Sequence, residues 1–234
     1  MPALVAARRL WRWARGRDPF CFEDVELSSV VLGSDYGSHC VHPEPLGPDS
    51  VVYSFGVGED ASFDVELIAR CGLQVHAFDP TPRSIEWVRT QDLPSAFHFS
   101  PFGIADFDGK GAFHPPTNPD HVSHSLLPRA TASTAPLEVE FRTLKTLMRN
   151  LGHSRLDLLK LDIEGSEYAV IDQLLTEGIE VDQLLVEYHH QFKSVPPART
   201  RTSVSKLRSA GFHVFHISPT GREFSLIHER RLPR

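Results

Sequence analysis

Short apolar runs recur between residues 51 and 228 of this 234-residue chain, and segments with apolar residues at helical spacing separate most of them. Continuous apolar runs of a few residues are typical of strands buried on both faces, whereas apolar residues at i, i+3 and i+4 indicate amphipathic helices. The runs predict strands over residues 51–55, 74–78, 96–99, 156–161, 181–188, 212–217 and 223–228. Strands that alternate with helices and end in a hairpin predict an α/β fold.

The stretch 156–167 places acidic groups where a buried strand ends. Its apolar run predicts the strand, and Asp162 and Glu164 follow at the carboxyl end. Ser166 is predicted to cap the helix that begins at Glu167. Ligands of open α/β sheets bind outside the carboxyl ends of the strands, so these carboxylates are candidate site residues. Complementing the helix dipole is an alternative role for Glu164 and Glu167, but it leaves Asp162 unexplained.

A glycine loop follows the first of these strands. Gly56 and Gly58 lie between that strand and a predicted helix, where backbone amides can approach an anionic ligand. Asp79 ends the next strand, close to the spacing of about 20 residues at which nucleotide-binding βαβ units place a ribose-binding acid. A carboxylate accepts hydrogen bonds from both ribose hydroxyls. The pattern predicts that Asp79 binds a ribose, the alternative being a structural Asp at a turn.

Two further strand ends contribute candidate residues. The region after the third strand is where such a fold usually meets an adenine, with Ile104 as an apolar face and Asp106 as an acceptor for the exocyclic amine. The fifth strand ends in polar residues that include His189.

The N-terminal residues have a different character. Residues 1–17 combine arginines with apolar residues at helical spacing, which predicts a basic amphipathic helix that docks on the domain or weakly contacts an anionic membrane surface. Residues 18–50 are rich in proline and turn residues and predict an irregular cover. The predicted division is an N-terminal helix and cover over residues 1–49 and one domain over residues 50–230.

Residues 114–136 interrupt the α/β pattern with prolines, histidines and hydroxyl side chains. Long loops inside a compact domain are usually lids or binding loops, or else disordered, so this segment is a predicted lid. His121 and His124 are candidate ligands or acid/base groups, and a plain polar loop is the favoured alternative. A strand is predicted after it, over residues 137–141.

Composition excludes several classes of function. Apolar content of 41% and charged content of 23% are typical of a globular protein, and the net charge of −6 argues against a nucleic-acid partner. No apolar run is long enough to span a membrane, and three separate cysteines predict a reducing, cytoplasmic setting. No metal site is predicted, since His39 and His42 have no acidic ligand spaced beside them.

The order of elements and the motifs resemble a known family. The layout is similar to the class I S-adenosylmethionine-dependent methyltransferases, which implies a Rossmann-like, doubly wound, mostly parallel seven-stranded sheet with one antiparallel strand from the C-terminal hairpin. Residues 159–167 (LKLDIEGSE) resemble the signature of the FkbM family, and residues 78–82 and the 54–60 loop resemble one branch of it. The resemblance covers roughly residues 50–230.

The resemblance implies S-adenosylmethionine as cofactor and an oxygen nucleophile, a hydroxyl of a sugar or small-molecule acceptor, as the group that takes the methyl. The implied cofactor-binding residues lie near four strand ends: Ser54, Gly56, Gly58, Glu59, Asp60, Asp79, Pro80, Ile104, Asp106 and Asp162. The implied catalytic residues, candidates to accept the hydroxyl proton, are Asp162, Glu164 and His189.

The loop departs from the family pattern at two positions. Ser54 stands where many methyltransferases carry an acid that binds the methionine amine, and Asp60 stands in place of a third glycine. Glu59 or Asp60 is therefore the candidate source of the missing carboxylate.

Two other functions fit parts of the pattern. Gly56, Gly58 and Ala61 with Asp79 also satisfy an NAD-binding fingerprint, although an oxidoreductase leaves the acids after the fourth strand without a role. A nucleotide-binding protein that has lost catalysis would account for the departures in the glycine loop.

Overall fold

The computed structural model describes residues 3–115, 124–126, 135–192 and 194–232. In chain order its helices and strands are α1 Ala3–Ala14, β1 Val30–Leu32, β2 His39–Val41, β3 Val51–Phe55, α2 Ser62–Cys71, β4 Gln74–Phe78, α3 Pro82–Thr90, β5 Phe97–Ser100, β6 Gly103–Ile104, β7 Gly109–Phe113, β8 Leu137–Arg142, α4 Leu144–Leu151, β9 Leu156–Leu161, α5 Glu167–Thr176, β10 Val181–Glu187, α6 Pro197–Ser209, β11 Phe212–Ile217 and β12 Glu223–His228.

Seven of these strands form the central sheet, in the order β11-β12-β10-β9-β3-β4-β5. Strand β12 is antiparallel to both of its neighbours, and the other neighbouring pairs are parallel. The prediction of a mostly parallel seven-stranded sheet with one antiparallel strand from a C-terminal hairpin is confirmed. The chain runs outward from β3 to β4 and β5 and resumes on the other side of β3 with β9, so the strand order reverses between β3 and β9.

The two faces of the sheet bury separate apolar clusters, as expected for a doubly wound fold. Successive residues of β9 point to opposite faces. Leu158 packs in the cluster that contains Leu67 of α2, whereas Leu159 packs in the cluster that contains Ile171 of α5. All six residues of β9 are buried, which explains why leucines point to both faces of this strand rather than to one.

A smaller sheet lies apart from the central one and consists of β6, β8 and β7. The strand predicted over residues 137–141 belongs here as β8, not to the central sheet. The sequence analysis did not predict β7, because its residues GKGAF carry two glycines and no clear period. Phe141 of β8 fills the space above Gly103 and Gly111, where added Cβ atoms would come within 2.5 and 3.0 Å of its ring.

The segment before β3 contains a strand pair and contacts the central sheet. Residues predicted as an irregular cover include the antiparallel pair β1 and β2. Val41 is completely buried in one of the two apolar clusters. His42 exchanges two hydrogen bonds with the buried side chain of Gln183 in β10, its N–H donating to Oε1 (3.1 Å) and its carbonyl accepting from Nε2 (2.9 Å).

Helix α1 is present as predicted, and one of its arginines docks on the domain. Arg9 is 1% exposed and pairs with the buried carboxylate of Asp18 at 3.2 Å. Trp11 and Trp13 keep 55% and 44% of their surface exposed, so a membrane-surface contact through residues 1–17 stays a prediction. Among the described residues, no helix has the length and apolar character needed to cross a membrane.

We expect Gln183→Leu to lower the free energy of unfolding by about 2–6 kcal/mol, because it strands two buried backbone groups of His42 at a cost of about 1–3 kcal/mol each. Urea denaturation measures the change. The matched control is Gln74→Leu, which removes an exposed glutamine side chain that hydrogen-bonds to His98. Equal effects of the two substitutions would show that the N-terminal segment does not depend on Gln183.

Candidate functional site at the carboxyl edge of the sheet

The site forms where the strand order reverses, at the carboxyl ends of β3 and β9. In open α/β sheets this reversal opens a crevice, because the chain leaves the two neighbouring strands in opposite directions. The Asp162 N–H donates to the Phe55 carbonyl at 3.1 Å, and the Gly56 N–H donates to the Phe78 carbonyl at 3.0 Å. The ends of β9, β3 and β4 are therefore tied together.

Gly56 permits this close approach. Its φ is +86°, and a Cβ added there would lie 1.9 Å from the Asp162 carbonyl oxygen. Gly58 also has a positive φ, +59°, but a Cβ there would meet nothing within 4 Å. Lys160, 5% exposed, lies beneath the loop and donates from Nζ to the Gly56 carbonyl at 3.0 Å. Close packing against Asp162 therefore requires glycine at position 56, whereas Gly58 borders open space at the loop.

Asp79 connects the glycine loop to α3. Its Oδ2 accepts from the Gly58 N–H at 2.9 Å, and its Oδ1 accepts from the Thr81 N–H at 2.8 Å. Each oxygen retains a second lone pair. The carboxylate therefore holds a turn, as the structural alternative expects, and ribose binding by Asp79 stays a prediction.

The two loop carboxylates proposed to replace the missing acid are engaged elsewhere. Asp60 accepts from the Ser34 hydroxyl and from the Ser62 N–H, and although burial opposes its ionisation, these hydrogen bonds bring its pKa below the ordinary value. Glu59 pairs with Arg83 at 2.8 Å. Ser54 was expected to bind the cofactor. It is completely buried within β3, so its side chain does not line the crevice.

The expected adenine region is only partly exposed. Ile104 is 3% exposed and packs in the same apolar cluster as Phe78, while Asp106 is exposed. Pro80 is half-buried beside Gly103. The side chain of Ile104 therefore belongs to the core, and Asp106 is the more accessible of the two predicted contacts.

The three predicted catalytic residues come together, and we call Asp162, Glu164 and His189 the acid–histidine cluster. His189 Nε2 lies 3.7 Å from Asp162 Oδ1 and 3.6 Å from Glu164 Oε1. The Asp162 and Glu164 side chains are 29% and 18% exposed, whereas His189 is 3% exposed. The carboxylates thus face the crevice and the imidazole lies behind them.

Glu167 fixes the imidazole from the other side. His189 Nδ1 hydrogen-bonds to Glu167 Oε1, which also accepts from the Gly165 N–H at 3.1 Å. Glu167 is completely buried at the start of α5. The prediction that Ser166 caps this helix is wrong, since its side chain makes no capping hydrogen bond. Glu167 therefore has two roles: it accepts the backbone N–H of the turn before α5, and it orients the His189 ring.

The turn that carries Glu164 is conformationally unusual. Glu164 has φ of +54°, a conformation that costs a non-glycine residue about 1–3 kcal/mol and that clusters at functional sites. The Glu164 carbonyl accepts from the buried Ser125 hydroxyl at 2.6 Å. Ser125 belongs to the predicted lid segment and pairs with His114. Most of that segment, including His121, lies outside the described residues.

Burial and neighbouring acids shift the pKa values at the crevice. Burial raises the pKa of Asp162 to about 6, with Glu164 and Glu167 adding to the shift and Lys160 and His189 opposing it. Burial, together with Asp162, raises the pKa of Glu187 to about 8. Burial alone would lower the pKa of His189, but Glu167 and Glu164 raise it well above the ordinary value.

Sequence reasoning missed four residues of this site. Glu187, Lys160, Glu167 and Ser125 were not among the predicted site residues. Glu187 ends β10 beside His189, so the strand-end argument applied to Asp162 could have found it. The other three had no such signal, because Lys160 lies within an apolar run, Glu167 resembled a dipole-complementing acid and Ser125 lies in a polar loop.

Fold and site together define a class I methyltransferase: a sheet of this order, a glycine loop after its central strand, an acid after the next strand, and an acidic crevice at the reversal. The model of the FkbM methyltransferase domain matches residues 50–214. The chain belongs to the FkbM methyltransferase family.

The chain is also similar to named proteins. The chain is 27% identical over 176 residues to the probable methyltransferase-like protein 24 of Rattus norvegicus and to that of Homo sapiens, covering 70% of this chain and 42% of each relative. It thus spans less than half the length of those proteins. The crystal structure of methyltransferase FkbM from Methylobacillus flagellatus KT is 11% identical, with a TM-score of 0.48, covering 76% of this chain and 43% of that one.

We expect Gly56→Ala and Gly58→Ala to differ sharply in urea denaturation. Gly56→Ala should cost about 3 kcal/mol or more, since its Cβ would overlap the Asp162 backbone. Gly58→Ala should cost only about 1–2 kcal/mol, the strain of a side chain at positive φ. Similar losses for the two variants would contradict the close approach of the loops after β3 and β9.

Proposed function

We propose that this chain transfers a methyl group from S-adenosylmethionine to a hydroxyl oxygen of a sugar or small-molecule acceptor. The observation that supports this most directly is the contact of the glycine loop with Asp162, which puts a nucleotide-binding loop beside an acidic crevice. Family membership supports methyl transfer. The acidic crevice supports an oxygen acceptor.

The loop fits the nucleoside part of the cofactor. Asp79 keeps one free lone pair on each oxygen for the ribose hydroxyls, and Gly58 leaves open space beside it. Asp106 is accessible to the adenine amine. Because Glu59 and Asp60 are engaged with Arg83 and Ser34, we assign the positively charged methionine end to Asp162, the carboxylate next to the loop.

The acidic crevice favours an acceptor that donates hydrogen bonds. Carboxylates accept from hydroxyl groups, and Asp162 and Glu164 present two of them at the cofactor loop. The same charge repels phosphate groups, so we propose that nucleic acid is not the acceptor. A sugar or other polyhydroxylated molecule fits this surface.

The proposed role of the residues is to position the acceptor and to accept its proton. S-adenosylmethionine supplies an electrophilic methyl group on a sulfonium ion. The acceptor oxygen would take that methyl group, S-adenosylhomocysteine would leave, and a carboxylate of the crevice would accept the proton that the hydroxyl loses. Asp162 is the most exposed member of the acid–histidine cluster and adjoins the loop, so it is the proposed base. His189 is buried and positions the acids.

We predict that Asp79→Asn weakens S-adenosylmethionine binding by about 1.5–3 kcal/mol, the range for hydrogen bonds to a charged group. Isothermal titration calorimetry measures it, with NAD as a second ligand that should not bind. The control is Asp108→Asn, which removes another aspartate that holds backbone and hydroxyl groups of a helix start, at Thr143 and Thr146. Unchanged affinity in folded Asp79→Asn, or NAD binding by the wild type, would contradict the assignment.

We predict that Asp162→Asn binds S-adenosylmethionine within about tenfold of the wild type, a difference of about 1.4 kcal/mol. Transfer of a labelled methyl group to a panel of hydroxylated acceptors should fall by about 10² or more, the scale for losing a positioned base. Asp172→Asn, an exposed aspartate paired with Lys206, is the control that should leave both unchanged. An unaltered transfer rate would assign Asp162 a structural role.

A further inference from the structure

We propose that the acid–histidine cluster is a binding site for a divalent cation. One ligand atom from each of Asp162, Glu164 and His189 lies within 4.8 Å of the others. The three residues come from two strand ends, after β9 and β10, so no local sequence spacing shows them as a ligand set. Each residue type is an established ligand of divalent ions.

The separations fit one ion between the three side chains. The distances from His189 Nε2 to the two carboxylates, 3.6 and 3.7 Å, are longer than hydrogen bonds. Ligand atoms that each lie about 2.1 Å from one ion are separated by roughly 3.0 Å when at right angles and by roughly 4.2 Å when opposite. Both distances from His189 Nε2 fall inside that interval.

The support behind the imidazole is that of a metal ligand. Metal-binding histidines usually donate their second ring N–H to a carboxylate or carbonyl, which fixes the tautomer and the ring orientation. Here His189 Nδ1 hydrogen-bonds to Glu167, which is completely buried and held by the Gly165 N–H. With Nδ1 as the donor, the Nε2 lone pair points toward Asp162 and Glu164. The other oxygen of Glu167, Oε2, has no hydrogen-bond partner within the described part of the chain.

The carboxylates around Nε2 favour a cation there. Three carboxylates surround it, those of Asp162, Glu164 and, at 4.0 Å, Glu187. Arg222 approaches Glu187 at 3.6 Å and offsets one of them. A lone pair that faces the remaining carboxylates is repelled unless a positive charge lies between them. A divalent ion supplies it, and the competing explanation is a proton on Nε2.

The ligand set indicates the kind of ion. Carboxylate oxygens suit Mg²⁺ and Mn²⁺, and one imidazole favours Mn²⁺ over Mg²⁺. Because the Asp162 and Glu164 side chains are partly exposed, positions of the ion remain open toward the crevice. Acceptor hydroxyl oxygens would bind there. This role rests on the proposed methyl transfer, whereas the binding of the ion does not.

The test is a titration of chelator-stripped protein with Mn²⁺, followed by electron paramagnetic resonance of the free ion, without cofactor or acceptor. We expect one saturable Mn²⁺ per chain in the wild type. Asp162→Asn and Glu164→Gln should each weaken it about tenfold or more, since even outer ligands of a metal site change affinity by about 10–100-fold. Mg²⁺ should compete for the same site.

The controls are Asp172→Asn and Glu138→Gln, which remove exposed carboxylates paired with Lys206 and Lys110. They change the net charge by the same amount as the site variants and should bind like the wild type. Absence of saturable binding by the wild type, or equal affinity in all five proteins, would overturn the inference and leave a protonated His189.

The two proposals fail in different experiments. The Mn²⁺ titration contains neither cofactor nor acceptor, so a negative result leaves methyl transfer standing. Absence of S-adenosylmethionine binding in protein that does bind Mn²⁺ would overturn methyl transfer alone. If one site variant does not fold, as judged by circular dichroism, the other variant and the wild-type titration still show whether the cluster binds Mn²⁺.

Discussion

The close approach of the loops that follow β3 and β9 is the constraint on which the site depends. Gly56 lies against the Asp162 carbonyl with no room for a Cβ, and the Asp162 N–H is bonded to the end of β3. This contact places the glycine loop, the Asp79 carboxylate and the acidic crevice within one rigid edge of the sheet. Neither the loop after β3 nor the loop after β9 could move without breaking the backbone hydrogen bond from Asp162 to Phe55.

The buried charge of Lys160, beneath this edge of the sheet, also stabilises the contact between the two loops. Lys160 is nearly inaccessible within β9, and a buried ammonium is tolerated only with partners. It donates to the Gly56 carbonyl, and its charge lowers the pKa values of Asp64 and Asp162 against the raising effect of burial. The lysine therefore supports the glycine loop and reduces the cost of placing acids above it. The ammonium group of Lys160, which is unusual in a strand rich in leucine, therefore supports the crevice from below.

The sequence predicted the architecture well, because runs buried on both faces and glycine turns are local signals. The apolar runs predicted the strands of the central sheet, and polar residues at two strand ends pointed to Asp162, Glu164 and His189, which the structure brings together. The order of the strands was not predicted. Local signals failed where a partner distant in sequence decides the structure. Ser54 is buried and Asp60 is held by Ser34, and neither fact is visible in the loop. Strand β7, which pairs with residues beyond the long loop, carries no periodicity of its own.

Glu167 shows why fold and function are hard to separate at such an edge. By sequence it is an ordinary acid in the first turn of α5, where it complements the helix dipole. In the structure the same carboxylate accepts the Gly165 N–H and holds His189, while the adjoining Glu164 takes a positive φ and receives the Ser125 hydroxyl. A strained turn persists only when its surroundings over-determine it. Here the helix start, the imidazole and the loop segment all fix it, so the geometry of the crevice is set before any ligand arrives.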